Sequence, residues 1–304
     1  MLSKRWFMKK QADLAKIADI VSRLEESYSD HIGVNLTGED MIPRRDEIIS
    51  VTEKLLEIIF PGYQRNIESA GTAALLLDVQ SELSNQICRA MRRREKTVCK
   101  CTDCPENECS HAVYKLLEQL PEIREITKLD VAAAYAGDPA AANYDEIILS
   151  YPGLKAITIQ RLAHVLYLEK IPLIPRMMTE YAHTQTGIDI HPGAAIGKGV
   201  FIDHGTGVVV GETARIGNNV RIYQGVTLGA VHFPKDACGM LIKGNRRHPT
   251  IGNNVTIYSG ASVLGDITIG DNSVIGGNVW LTESLPEGTK ITATPPENRR
   301  KTVQ

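Results

Sequence analysis

From Ile190 onward an aliphatic residue recurs every sixth position. Ile190, Ile196, Ile202 and Val208 set the beat, a slip of two residues follows, and Val210, Ile216, Ile222 and Leu228 resume it. Residues 230–250 interrupt the pattern, and then Ile251, Ile257, Val263, Ile269, Ile275 and Leu281 complete six further beats without a miss. Strict self-similarity at period six, with Gly, Asn and other turn residues between the beats, is the signature of a hexapeptide β-helix. Three hexads close one triangular coil, and successive coils stack as parallel strands ~4.8 Å apart. The aliphatic at each beat fills the prism, while Gly and Asn take corners because they tolerate positive φ. Aromatics make up only 5% of the chain, so an aliphatic core of this kind is what the composition can supply.

Before Gly187 the rhythm is helical. Leu14, Ile17, Val21 and Leu24 fall at steps of three and four, an amphipathic face. "RDEIISVTEKLLEIIF" repeats the pattern up to Pro61-Gly62, and "SAGTAALLLDVQSELSNQICRAMRRR" is a longer candidate, followed by "RRREK" as a solvated helix end. "HAVYKLLEQL" is expected to end at Pro121, "EIREITKLDVAAAYAGDP" at Pro139, and "LKAITIQRLAHVLYLEK" before Pro172. The expected fold is therefore α+β. Residues 1–182 form an all-helical N-terminal domain with a Cys-rich insert at 99–111. Residues 183–285 form a parallel β-helix with a loop at 230–246, and 286–304 form a C-terminal tail.

Charge and hydropathy narrow the function classes. A formal charge of -2 gives no global basic field for nucleic acid, and no apolar run is long enough to cross a bilayer. The basic N-terminus lacks the apolar stretch and cleavage site of a signal peptide, so a cytoplasmic location is expected. In that reducing setting the cluster "CKCTDCPENECSH" suggests metal or free thiols before disulfides. Cys99, Cys101, Cys104 and Cys109 could serve a structural metal or an iron–sulfur cluster, or form a redox-sensitive loop. Their spacing is not that of a paired zinc knuckle and leaves these readings open.

Five blocks appear in order along the chain: "GDPAA" (137–141), "QRLAH" (160–164), "IDIHPGAAIGKGVFIDHGTGVVVGETA" (188–214), "VTLGA" (226–230) and "RRHPTIGNNVTIYSGASVLG" (246–265). Together they closely resemble the serine O-acetyltransferases. The resemblance implies a left-handed coil and acetyl transfer from acetyl-CoA to the hydroxyl of L-serine, the first step of cysteine synthesis. The nearest alternative is another hexapeptide acyltransferase with an acceptor such as homoserine. A metal hydratase on the same coil is disfavoured, because His183, His191 and His204 lack the spacing it needs.

The chemistry asks for a base, a grip on a zwitterion and an oxyanion site, and a neutral imidazole suits the first near pH 7. The resemblance implies that His204 is that base, with Asp189 as its orienting carboxylate. The two are fifteen residues apart, short of one full coil, so spacing supports the dyad only loosely. The resemblance further assigns Asp138 and Asp203 to the serine ammonium, Arg247 to its carboxylate, and His248 to the oxyanion. It places coenzyme A near Ala230, Ser259 and Gly260, between neighbouring subunits of a trimer that the helical half could pair into a dimer of trimers. Arg161 and His164, on a helix with apolar neighbours, read as structural support. Members of the family can insert a C-terminal isoleucine into O-acetylserine sulfhydrylase. This chain ends in Gln304, a polar residue unsuited to an apolar pocket, so that complex is not expected.

Overall fold

The computed structural model describes residues 2–28, 42–63, 69–98 and 106–294. The chain divides into two compact units, residues 1–41 and 42–304. The first holds helix α1 (Leu2–Ser27), whose apolar stripe of Leu14, Ile17, Val21 and Leu24 is exposed. Among its described residues the second contains six helices, α2 (Arg45–Ile59), α3 (Ser69–Val98), α4 (Glu106–Gly137), α5 (Tyr144–Ser150), α6 (Pro152–Leu168) and α7 (Ile174–Thr186), and then fourteen short strands.

Two of the helix ends expected from sequence lie elsewhere. Helix α4 runs through Pro121 without a break. Pro121 is exposed, while Leu116, Leu120 and Ile123 on either side of it are buried, so packing holds the helix together across the missing N–H. "RRREK" lies within the last turns of α3 rather than beyond it.

The strands are β1 (Asp189–Ile190), β2 (Ala195–Ile196), β3 (Phe201–Ile202), β4 (Val209–Val210), β5 (Arg215–Ile216), β6 (Arg221–Ile222), β7 (Thr227–Gly229), β8 (Thr250–Ile251), β9 (Thr256–Ile257), β10 (Ser262–Leu264), β11 (Thr268–Ile269), β12 (Val274–Ile275), β13 (Trp280–Leu281) and β14 (Lys290–Ile291). They form the three faces of a left-handed parallel prism. The first face is β1-β4-β7-β10-β13, the second β2-β5-β8-β11, and the third β3-β6-β9-β12-β14. Every beat residue belongs to the core of the prism, with Ile196 packed at its margin. Asparagines line one corner as a hydrogen-bonded ladder. Asn219 Nδ2 donates to Asn254 Oδ1 and Asn254 Nδ2 to Asn272 Oδ1, each at 3.1 Å, and all three have φ near +56°.

The slip in the sixfold beat has a structural counterpart. The step from Asp189 to its pair Val209 is two residues longer than the step from Val209 to its pair Thr227. The excess falls in the turn between β3 and β4, where both Val208 and Val210 stay buried and the residues before them swing outward.

The helices dock on the prism through buried polar contacts. Arg161 of α6 forms an ion pair of 2.9 Å with Asp130 of α4 and donates to the carbonyls of Ile196 and Gly197. Asp130 also accepts the Val200 N–H at 2.9 Å. Gln160 donates to Ala194 O at 2.8 Å, and His164 Nδ1 lies 2.7 Å from Pro192 O. "QRLAH" therefore fastens the helical layer to the first coil, the supporting position its apolar neighbours suggested.

Candidate active site

The turn between β3 and β4 presents the "DHG" block at the edge joining the third and first faces. His204 has φ +57° and Gly205 φ +81°, a left-handed pair that turns the chain out of the coil. A Cβ on Gly205 would lie 2.4 Å from the Ile188 side chain, so only glycine closes this turn. His204 is 70% exposed, and Asp203 Oδ1 stands 3.8 Å from its Nε2.

Asp138 reaches the same edge from the C-terminal end of α4. Its Oδ1 accepts the Ala140 N–H at 2.8 Å, and its Oδ2 accepts Tyr151 O–H at 2.5 Å. The Tyr151 hydrogen bond holds the Asp138 carboxyl below its ordinary range, helped by the Ala140 amide and by nearby His204. That same bond pushes the Tyr151 phenol up to about 12, and Asp203 adds to the effect. The Asp138 carboxyl thus responds to His204, and the Tyr151 phenol to Asp138 and Asp203. Tyr151 went unassigned in the sequence, where nothing marks a tyrosine thirteen residues downstream as the partner of a turn aspartate.

A second cluster sits at the other end of strand β4, on the edge joining the first and second faces. Arg247 Nη2 donates to Glu212 Oε2 at 2.6 Å, and Tyr167 of α6 donates to Glu212 Oε1 at 2.9 Å. Burial pushes the Glu212 carboxyl up, but the bonds from Arg247 and Tyr167 outweigh it and hold the group low. His191 stands edge-on to the Tyr167 ring at 5.7 Å, and burial lowers its pKa. His248 is buried beside them. Its Nδ1 accepts the Thr213 N–H at 3.1 Å and lies 2.8 Å from Thr213 Oγ1. Burial first, and the Arg247 cation second, lower its pKa to about 4. Arg247 and His248 are therefore brought together, as "RHP" requires, but at the opposite end of the first face from His204. Glu212, Thr213 and Tyr167 were not given roles from sequence, although Glu212 and Thr213 lie inside the quoted "GETA".

Asp189 lies on β1 of the first face, and no hydrogen bond among the described residues joins it to His204. Its charged neighbour is Arg176 of α7, 3.8 Å away. The carboxylate nearest His204 in an ion-pair contact is Asp203 instead. Glu180, His183 and Asp189 have donor atoms within 4.8 Å of one another, but Arg176 pairs with both carboxylates and supplies the cation there.

Ser259 and Gly260 follow β9 and stack on the same edge as His204, two coils along, through the ladder β3-β6-β9. Tyr223 and Tyr258 stack on that edge too, with ring centroids 5.2 Å apart. Ala230 follows β7 at the opposite edge, where the loop leaves the prism. In the loop Lys235 bridges to Leu241, and Asp236 Oδ1 accepts the N–H groups of Cys238 and Met240. Cys109 is buried in the helical core, whereas Cys99, Cys101 and Cys104 lie outside the described residues.

Comparison with known proteins places the chain in a family. Residues 78–159 match the family model for the serine acetyltransferase N-terminal region, and residues 248–283 match the bacterial transferase hexapeptide model of six repeats. A plasmid-encoded serine acetyltransferase of Synechococcus elongatus is 44% identical over 283 residues, covering 90% of this chain and 89% of that protein. Two Entamoeba histolytica structures are similar in fold. Serine acetyltransferase 1, in complex with L-cysteine, has a TM-score of 0.71 at 38% identity, over 82% of this chain and 86% of that one. Isoform 3, in complex with cysteine, has a TM-score of 0.72 at 36% identity, over 92% of each chain. With both the helical region and the coil matched by family models, and a relative 44% identical over 90% of its length, the chain belongs to the serine acetyltransferases, which transfer the acetyl group of acetyl-CoA to the hydroxyl of serine.

Proposed function

We propose that acetyl transfer to L-serine runs on two groups of residues at the two ends of the first prism face, brought together between neighbouring copies of the chain. His204 takes the proton of the serine hydroxyl as it attacks the thioester carbonyl, and later returns it to the leaving thiol. Asp203 and Asp138 receive the substrate ammonium, the latter held ionised by Tyr151. Arg247 binds the substrate carboxylate, and His248 donates a hydrogen bond to the tetrahedral oxyanion. Asp189 acts as the orienting carboxylate for the base.

The observation that carries this reading is the separation of His204, Asp203 and Asp138 from Arg247 and His248 along the first face. A serine molecule cannot span both edges of one prism, so one copy supplies the base and the ammonium site while the next supplies the carboxylate and oxyanion site. Closed rotational symmetry with a head-to-tail interface gives a ring, and three prisms meeting edge to edge make a trimer. A dimer of trimers through the helical half is the larger assembly we propose.

Acetyl-CoA lies in the groove between copies. Ser259 and Gly260 on the His204 edge, with Ala230 from the facing edge, leave room for its arm. Cysteine, one atom different from serine, fits the same acceptor site and would act there as an inhibitor, as suits the two related structures solved with cysteine. No helix of the described residues is long and apolar enough to cross a membrane, in keeping with a cytoplasmic enzyme. The metal reading of Cys99, Cys101, Cys104 and Cys109 rests on sequence alone, and Cys109 is already packed in the helical core.

The test is thiol release from acetyl-CoA with L-serine. Wild type is expected to show serine-dependent release, and His204→Ala to lose ~10²-fold or more of kcat, the scale of losing a general base. Release that survives in His204→Ala removes His204 from the chemistry.

A further inference from the structure

We propose that Thr213 is a positioning residue that fixes His248 as the tautomer protonated at Nε2, so that His248 serves the reaction as a hydrogen-bond donor and not as a base. The argument rests on the direction of three hydrogen bonds. The Thr213 backbone N–H can only donate, and it points at His248 Nδ1 from 3.1 Å. A protonated Nδ1 would set two hydrogens against each other, so Nδ1 is bare and the ring proton is on Nε2. The Thr213 hydroxyl receives the backbone N–H of Arg247 at 3.0 Å. Its lone pair thus engaged, it turns its own hydrogen toward Nδ1, 2.8 Å away. One residue therefore sets the tautomer of His248 through its backbone N–H, and through its hydroxyl it ties the ring to the backbone of the neighbouring carboxylate-binding arginine.

The far side of the ring is arranged to match. Nε2 has no hydrogen-bond partner among the described residues, yet it is not sealed in, since Ser84 Oγ is the buried side-chain polar atom left without a partner. An N–H that reaches solvent with no internal acceptor is what an oxyanion needs. The charged groups facing His248 are Arg247, Glu212 and His191. Arg247 and His191 disfavour the imidazolium, and Glu212, which favours it, is already paired with Arg247 and Tyr167. Burial and these neighbours bring its proton loss to about 4, so the ring is neutral throughout the neutral range.

The inference rests on the reading of His248 as the oxyanion donor, and the test separates the two. Nitrogen-15 spectra of histidine-labelled enzyme, assigned by comparison with His248→Gln, read the tautomer without reference to activity. Wild type is expected to show His248 protonated at Nε2 alone, with no titration from pH 8 to pH 5. Thr213→Val keeps the backbone donor and removes the hydroxyl. With the backbone donor still facing Nδ1, His248 is expected to stay protonated at Nε2, with its titration moved upward and a kcat lowered about 10-fold with a smaller change in KM for serine. Thr213→Ser is expected to restore both the spectrum and kcat. A His248 signal protonated at Nδ1, or one that titrates near pH 6.5, overturns the inference from the wild type alone, even if the variants do not fold. Thr213→Ser as impaired as Thr213→Val overturns it as well. If the spectra behave as expected while His248→Gln keeps full activity, the oxyanion reading fails and the tautomer lock stands.

Discussion

At the scale of single residues the site depends on atoms that are not there. The second edge of the prism packs the His248 ring into the space a side chain on Gly211 would need. A Cβ at Gly211 would come within 2.1 Å of His248 Nε2 and Cδ2, far inside any contact real carbon atoms make. Gly211→Ala therefore has to expel the ring while leaving the coil's backbone bonds intact, among them Gly211 N to Leu228 O at 3.0 Å. Turnover with serine is expected to fall about 10-fold or more, the range for misplacing one oxyanion donor, with the circular dichroism spectrum unchanged. Steady-state thiol release on the purified variant measures this directly. Full activity in Gly211→Ala would mean that the position of the His248 ring does not matter to the reaction.

At the scale of elements, what was legible in the sequence is what depends on local periodicity. The sixfold beat gave the prism because each Ile, Val or Leu at a beat faces the same interior, whichever coil it is on. The two-residue slip marked the turn that carries His204, since an extra pair of residues in a closed coil has to loop outward. What stayed hidden depends on register between coils and on how α6 lies across them. Tyr167 meets Glu212, and Thr213 meets His248, across 45 and 35 residues of chain. No spacing rule announces such pairs, the first made by a helix laid against the coil and the second across the loop 230–246. Pro121 was misread for a related reason, because burial on both sides of it outweighs one lost hydrogen bond. Docking of the helices follows the same logic and is testable. Arg161 and Asp130 are 7% and 1% exposed, and burial pushes the Asp130 carboxyl up against the pull of Arg161. Arg161→Leu strands that carboxylate, and urea unfolding is expected to show a loss of about 3–5 kcal/mol. Adding Asp130→Asn to Arg161→Leu should recover part of the loss, since no unpaired charge then remains. A double variant less stable than the single would show that the pair is not what fastens α6 to the first coil.

At the scale of the whole molecule, the proposed function has one chain carry both halves of a site that a neighbouring copy completes. His204 and Arg247 stand at opposite ends of the first face, and each is surrounded by its own partners. Asp203, Asp138 and Tyr151 accompany the first. Glu212, Tyr167 and Thr213 accompany the second. If neighbouring copies complete each other, an Arg247→Ala chain still offers a sound His204 edge, and a His204→Ala chain still offers a sound Arg247 edge. Each homogeneous variant is expected to be nearly inactive, because every interface lacks one group. Co-expressed in equal amounts, the two should pair at random, so about a quarter of interfaces bring together the two sound edges. Activity is then expected to recover to about a quarter of wild type, far above either parent. Mixing the purified variants without dissociating them should give no recovery, which separates subunit exchange from simple summation. Co-assembled variants that stay inactive would mean that both edges must be sound in one chain, and the site would have to close within a single prism by a movement of the loop that carries Arg247.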